Sequence, residues 1–387
     1  MSMVLEEYYE EITQGYQHCD KVICHRCIGD KALSSYIKAN GTRRECSYCH
    51  KKNTSISFDD FMGRIMEGVE FMYSKAADEL PVDKGEYVGK TYTSGEIVDS
   101  TIADQVCPND DAILEDIRSV MLEDDWCDAD PFSDDPGDAA FYNWESFCKL
   151  VKEQVRYVFF QTNSDESSDP IKILDTIAEY ADAVKLRRTI KARDRMYRCR
   201  TSKESKRFTE PEDFAPPPVE YAHAGRMNPE GINVLYLTMD SETALAETNV
   251  TGNDYASIAT IRVQASIPVL DLTRIDRIPE PSIFDIDRRH LRSLIRFLHR
   301  FVDSIAQPAS TPGIDYVPTQ IVTEYFRYVR REGSAKYEGI LYKSAQNPDG
   351  KCLALFLTRK EFLEGKFGIH IVPSQTAFYK KEYQKQE

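Results

Sequence analysis

Four cysteines constrain the amino-terminal part of this chain more tightly than any other feature. Cys24-His25-Arg26-Cys27 and Cys46-Ser47-Tyr48-Cys49 are two Cys-x-x-Cys knuckles with eighteen residues between them. Each knuckle turn aims two thiolates at one point, and four thiolates complete the tetrahedral shell of a zinc ion. A filled shell leaves no position for water, so a zinc held by Cys24, Cys27, Cys46 and Cys49 would be structural. The competing reading is four reduced cysteines that only pack. Cys19, His18, His25 and His50 stand close by as spare candidate ligands. Residues 32–39 read as a helix joining the knuckles.

Five of the ten cysteines fall between positions 19 and 49. The first residues, Met1-Ser2-Met3-Val4-Leu5-Glu6-Glu7, are acidic where a signal peptide is basic. With no export signal indicated, clustering of this kind favours a metal over disulfides, and a cytoplasmic location is the expectation. No apolar run approaches the ~20 residues that span a bilayer, so no membrane association is expected. A composition 41% hydrophobic and 29% charged suits a folded chain, and 387 residues suffice for two or three cores. The formal charge of −15 disfavours general nucleic-acid binding, which needs clustered Lys and Arg, but leaves room for a local basic pocket.

Apolar spacing then sets out the elements. Leu5, Tyr8, Tyr9 and Ile12 form a weak helical pattern. Ser57 caps a predicted helix through Phe58, Phe61, Met62, Ile65, Val69 and Met72, with Asp60 at the third position. Further helices are expected around Ile113–Met121 and over 141–160, the latter with Trp144, Phe147, Val151, Val155 and Val158 on one face. The acidic run from Glu123 to Asp138 lacks the spacing of a calcium loop and reads as a solvated loop. Gln161 to Pro170 is a polar linker by composition. A helix is expected through Ile173, Leu174, Ile177 and Tyr180. Lys185 to Arg207 is the most basic stretch, read as one wall of an anion pocket and otherwise solvated. Strands are expected at 234–238, 256–263, 268–272, 339–342 and 353–357, and helices at 289–305 and 319–331. This irregular alternation is α+β rather than doubly wound.

One stretch offers chemistry. Gly225-Arg226-Met227-Asn228-Pro229 is a turn that aims an arginine, Tyr236 sits in the middle of a strand, and Glu247 follows a helix start at Ser241. Arginine is a planar fork for phosphate, tyrosine a stacking face, glutamate a charge for a developing cation. Taken singly, each suits an equally ordinary role: a salt bridge, a core tyrosine, a helix-surface carboxylate.

Several spaced motifs recur in one order, namely Met196-Tyr197-Arg198-Cys199-Arg200, Ala215-Pro216-Pro217-Pro218, the Arg226 turn, Tyr236, Ala244-Leu245-Ala246-Glu247, Val269-Leu270-Asp271-Leu272, Tyr316-Val317-Pro318-Thr319-Gln320 and Gly339-Ile340-Leu341-Tyr342-Lys343-Ser344. Over about 190–360 the chain resembles the RES-domain family, whose members degrade NAD, and the knuckle module resembles the amino-terminal region attached to some of them.

That resemblance implies an ADP-ribosyltransferase-like split β core. It implies NAD as substrate, with Arg198 and Arg226 anchoring phosphate and ribose, Tyr236 stacking on nicotinamide or ribose, Glu247 as the catalytic carboxylate and Ser344 hydrogen-bonding the substrate. Cleavage of the nicotinamide–ribose bond by water or phosphate, in a toxin or defence effector restrained by an antitoxin or other partner, is the expected activity. Transfer of the ribosyl group to a macromolecule, and nucleotide binding without turnover, are the alternatives. The helical middle resembles HEPN regions by association only. The Arg-x(4–6)-His spacing of HEPN ribonucleases occurs at Arg44–His50 and Arg292–His299, outside those helices, and is not carried over. The expected organisation is a zinc-knuckle module (1–57), a helical region (58–160), a linker (161–170) and a RES-like domain (171–387). The helical middle would suit a partner-docking surface, a homo-oligomer interface or a sensor.

Overall fold

Cys24 ends a three-residue strand, β1 (Val22–Cys24), and the first knuckle turns from it. Asp30 then caps helix α1 (Lys31–Asn40), accepting from the Leu33 amide. Strands β2 (Thr42–Glu45) and β3 (Lys52–Ser57) flank the second knuckle, and the sheet order is β1-β3-β2. These elements belong to a computed structural model that describes residues 11–106, 108–161, 170–248, 255–332, 335–372 and 377–380. Leu5, Tyr8 and Tyr9, and positions 162–169 of the polar linker, lie outside the described residues.

The chain forms two units, one of Met1–Pro136 with Glu280–Ser293 and one of Gly137–Pro279 with Leu294–Glu387. In the first, helix α2 (Phe58–Met72) starts at Ser57, whose hydroxyl accepts from the Asp60 amide. It buries Phe58, Phe61, Met62, Ile65 and Val69 in one core with Ile23, Leu33 and Ile37 from the knuckle elements. Helix α3 (Asp111–Val120) adds Ile113 and Ile117 to that core. The helical expectation for this region missed a small antiparallel sheet of β4 (Tyr73–Lys75), β5 (Tyr92–Thr93) and β6 (Asp125–Asp128), with β6 between the other two. Strand β6 lies inside the acidic run expected to be a loop. Burial of Trp126 and Cys127, with the indole N–H on Ser94, outweighs the flanking charges.

The second unit opens with helix α4 (Pro136–Glu153), earlier than expected, and its Trp144 packs edge-on to Phe301. Helix α5 (Pro170–Ala183) leads into a mixed sheet. Its strands are β7 (Arg187–Ile190), β8 (Met196–Ser202), β9 (Leu235–Thr238), β10 (Tyr255–Arg262), β11 (Ile267–Asp271), β12 (Gly339–Lys343), β13 (Lys351–Leu355), β14 (His370–Ile371) and β15 (Ala377–Lys380). The order is β14-β10-β8-β9-β13-β12-β11-β7, with β15 also on β10. Among these pairs β11 and β12 run parallel and the others antiparallel. With the helices this is an α+β fold.

Strand β8 arises from the basic stretch, whose alternation places Met196 in the core beneath the sheet. Between β8 and β9 the ladder is a single pair, Tyr197 opposite Thr238. Beyond it the strands splay, and the Arg198 side chain donates to the Tyr236 carbonyl at 2.7 Å where a backbone rung would otherwise lie. A helix α6 (Ser241–Ala246) covers Cys199, Ala256 and Ile258 beside this seam. Helices α7 (Arg292–Ala306) and α8 (Val317–Glu324) complete the frame of the site. No helix among the described residues is long and apolar enough to cross a membrane.

Candidate functional site

A cleft of about 460 Å³ opens over the seam between β8 and β9, in the size range of small-molecule sites. Arg198, Arg226, Tyr236 and Glu247, expected together from their motifs, all line it, and Ser344 reaches Glu247 from behind. The structure thus gathers five residues spread over nearly 150 positions.

Arg198 is 7% exposed, and among the described residues no carboxylate pairs with it. One Nη donates to the Tyr236 carbonyl, while Nε is buried with no partner. Burial, helped by the nearby Arg200, pulls its pKa well below the ordinary arginine value. A buried cation without a counter-charge is costly, and an anion within reach would offset that cost. Arg200 is differently placed, donating to the carbonyls of Asp213 and Ala215 and so fixing the proline-rich segment.

Arg226 is committed to the protein. Its two terminal nitrogens donate to the carbonyls of Ile305 and Gln307, the latter at 2.9 Å, at the end of α7. The guanidinium also lies 5.0 Å from the Tyr316 ring centre. Helix carbonyls at a C-terminus carry partial negative charge, which accounts for the pairing. The tyrosine in mid-strand holds the turn on which Arg226 sits. Tyr236 Oη accepts from the Met227 amide at 2.9 Å and donates to Asn228 Oδ1 at 2.7 Å. Burial pushes this phenol up, against the pull of the Met227 amide, so it keeps its proton and donates. Gly225 is needed for that contact, since a Cβ there would lie 2.6 Å from both Tyr236 Oη and Asn228 Oδ1.

The same turn is gripped from its other side by α8. Thr319 donates to the Arg226 carbonyl at 2.6 Å, and Gln320 Nε2 donates to the carbonyls of Gly225 (2.8 Å) and Asn228 (3.0 Å). Thr319 and Gln320 stood in a motif without a role; a polar pair at the start of a buried helix was the signal.

Glu247 follows the last turn of α6, which Asp240 caps by accepting from the Thr243 amide. Ser344 Oγ accepts from the amides of Gln346 (3.1 Å) and Asn347 (3.0 Å), which leaves its proton to donate to Glu247 Oε1 at 2.5 Å. Its hydroxyl is therefore occupied by protein groups. Cys352 adds a thiol at 3.4 Å from the same oxygen. Burial and the Glu247 carboxylate push that thiol up, keeping its proton in place. The loop after Ser344 locks onto α6 as well, Asn347 donating to Thr243 Oγ1 at 2.8 Å. At Gly350 a Cβ would meet that threonine oxygen at 2.4 Å.

The knuckles bring Cys24, Cys27, Cys46 and Cys49 together, their sulfurs all within 4.8 Å of one another. Neighbouring pairs stand 3.6 to 3.7 Å apart. Tetrahedral thiolates at Zn–S of about 2.3 Å are separated by about 3.8 Å, so the donor set fits that metal. Asn53 Nδ2 lies 3.6 Å from Cys24 Sγ, a second-layer donor toward thiolate charge. Of the spare ligands, the His18 ring pairs with Asp59 and the His25 ring with the Thr54 carbonyl, while the backbone amide of Cys19 donates to Asp59 Oδ1.

Two protein-family models match. HEPN/RES N-terminal domain 1 covers residues 39–165, and the RES domain covers residues 195–369. No curated protein and no solved structure matches the chain.

Proposed function

The chain belongs to the RES-domain family, with a HEPN/RES amino-terminal region, and RES domains are associated with NAD-acting, toxin-like proteins; from that premise we propose that the cleft over the strand seam cleaves the nicotinamide–ribose bond of NAD. The single observation that carries this is Arg198, a buried guanidinium with no carboxylate of its own, lining the same cleft as a carboxylate held by two donors.

NAD brings to such a cleft a pyrophosphate for Arg198 and a ribose whose C1′ becomes cationic as the bond lengthens. Glu247 is the group placed to stabilise that charge or to orient the attacking oxygen. Ser344 and Cys352 act as positioning residues, fixing one carboxylate oxygen and leaving the other to the substrate. Arg226 acts in the same way, tying its turn to the end of α7. The ring of Tyr236 forms cleft wall while its hydroxyl holds the turn. In hydrolysis the C1′–N bond breaks with its electron pair going to nicotinamide, water supplies the new C1′–O bond, and one proton is released. With phosphate or a macromolecular hydroxyl as acceptor the same groups serve. The four-thiol cluster holds zinc as a structural ion, and a protein partner restrains the activity.

The test is NAD consumption by the purified full chain with products separated, beside Glu247→Gln. Free nicotinamide released by the wild type and reduced at least about a hundredfold in the variant is the expected result. The ribosyl product then identifies the acceptor. Intact NAD with a folded, metal-loaded chain, or undiminished turnover in Glu247→Gln, overturns the reading.

A further inference from the structure

Strand β12 brings one more hydroxyl to the cleft. Leu341 packs in the core beneath the sheet, so alternation turns Tyr342 to the opposite face, where it lines the cleft with Glu247. In the β12–β13 ladder Tyr342 stands opposite Cys352, the residue whose thiol approaches Glu247 Oε1 at 3.4 Å. Tyr342 is 8% exposed. Its hydroxyl makes no hydrogen bond to the described residues, yet its oxygen is not sealed away from solvent, so the little surface it keeps opens toward the cleft. Tyr236 and Ser344 differ, since both give their hydroxyl protons to protein groups, Asn228 and Glu247. Buried hydroxyls are nearly always paired, so a free one facing a cleft marks a place where a ligand completes the set.

Resting on the proposed function, we propose that Tyr342 is a further catalytic residue, its hydroxyl donating to a neutral O–H group that in turn donates to Glu247. Burial, with Cys352, Tyr236 and Glu247 nearby, pushes the phenol well above its ordinary value, so it keeps its proton and donates. Glu247 has the complementary need. Ser344 and Cys352 both address Oε1, which leaves Oε2 without a bond among the described residues. A donor and an anionic acceptor lining one cleft suit an O–H group, which accepts from the first while donating to the second. The reaction offers two such groups, a hydroxyl of the ribose whose C1′ reacts and the attacking water. No bond to Tyr342 forms or breaks, and the electron pair of the C1′–N bond still leaves with nicotinamide.

The test is Tyr342→Phe in the full chain, which removes the oxygen and keeps the ring. Nicotinamide release is expected to fall at least about tenfold. The melting temperature should hold or rise, because a buried hydroxyl without a partner gives the fold nothing. Calorimetry with ADP-ribose, and with ADP, which lacks the reacting ribose, separates the two sources. ADP-ribose bound about tenfold more weakly by the variant, with ADP unchanged, puts the phenol on a ribose hydroxyl. Slower release with both affinities unchanged puts it on the attacking water. Unchanged release with unchanged affinities, a lowered melting temperature, or an equal loss of ADP and ADP-ribose overturns the assignment. A wild-type chain that releases no nicotinamide refutes the proposed reaction, and the ADP-ribose arm then decides Tyr342 by itself: a selective loss keeps it as a ribose contact, and no selective loss overturns it.

Discussion

At the level of single side chains, the candidate site is defined by which groups are already committed. Ser344 donates to Glu247 and accepts from two amides, so Ser344→Ala removes a hydrogen bond to a charged group worth about 1.5–3 kcal/mol. If that bond serves to aim the carboxylate, nicotinamide release should fall about ten- to a hundredfold in kcat, with KM within about twofold, while the melting temperature drops by a few degrees. An equal change in KM would place the serine on the substrate instead. Motif order was enough to bring Arg198, Arg226, Tyr236 and Glu247 to one cleft. What the sequence could not convey is where each polar atom points. Tyr236 was expected to offer a stacking face, and its hydroxyl organises the Arg226 turn. Arg226, expected as an anchor, clasps the end of α7. Those commitments depend on partners about eight to eighty residues away, which no local pattern records.

Among elements, α8 contributes more than its short length suggests. Gln320 donates to two carbonyls of the Arg226 turn, and Gln320→Leu leaves each with only its backbone partner across the turn. The cost is about 0.5–1.5 kcal/mol for each lost hydrogen bond, so thermal unfolding should show a drop of a few degrees. Nicotinamide release should decline with it; a variant as stable and active as wild type would mean that the turn keeps its shape unaided. Elements with clear spacing were legible, as α2 shows, its cap and apolar stripe matching expectation from Ser57 to Met72. Strand β8 was not, because Arg198 and Arg200 break the apolar alternation that marks a strand. Strand β6 was hidden by its acidic neighbours. In both cases tertiary burial of a few residues overrode local character.

For the molecule as a whole, the four-thiol cluster is expected to govern the stability of the unit it nucleates. The purified chain should contain about one zinc, and Cys24→Ser should lower both the zinc content and the melting temperature. Unchanged metal content in that variant would reduce the cluster to packing. The fold class was readable because the strand and helix patterns alternate without a βαβ rhythm. The seam between β8 and β9 was not, since it results from a missing set of backbone rungs. The Arg226 turn and Glu247 share one further property: each is held by side chains more than ninety residues later in the chain, Gln320 for the turn and Ser344 for the carboxylate. Contacts of such sequence separation form only once the intervening chain is available. A nascent polypeptide on the ribosome therefore carries Arg198, Arg226 and Glu247 well before it can hold them in register, and the cleft stays unassembled through most of its own synthesis.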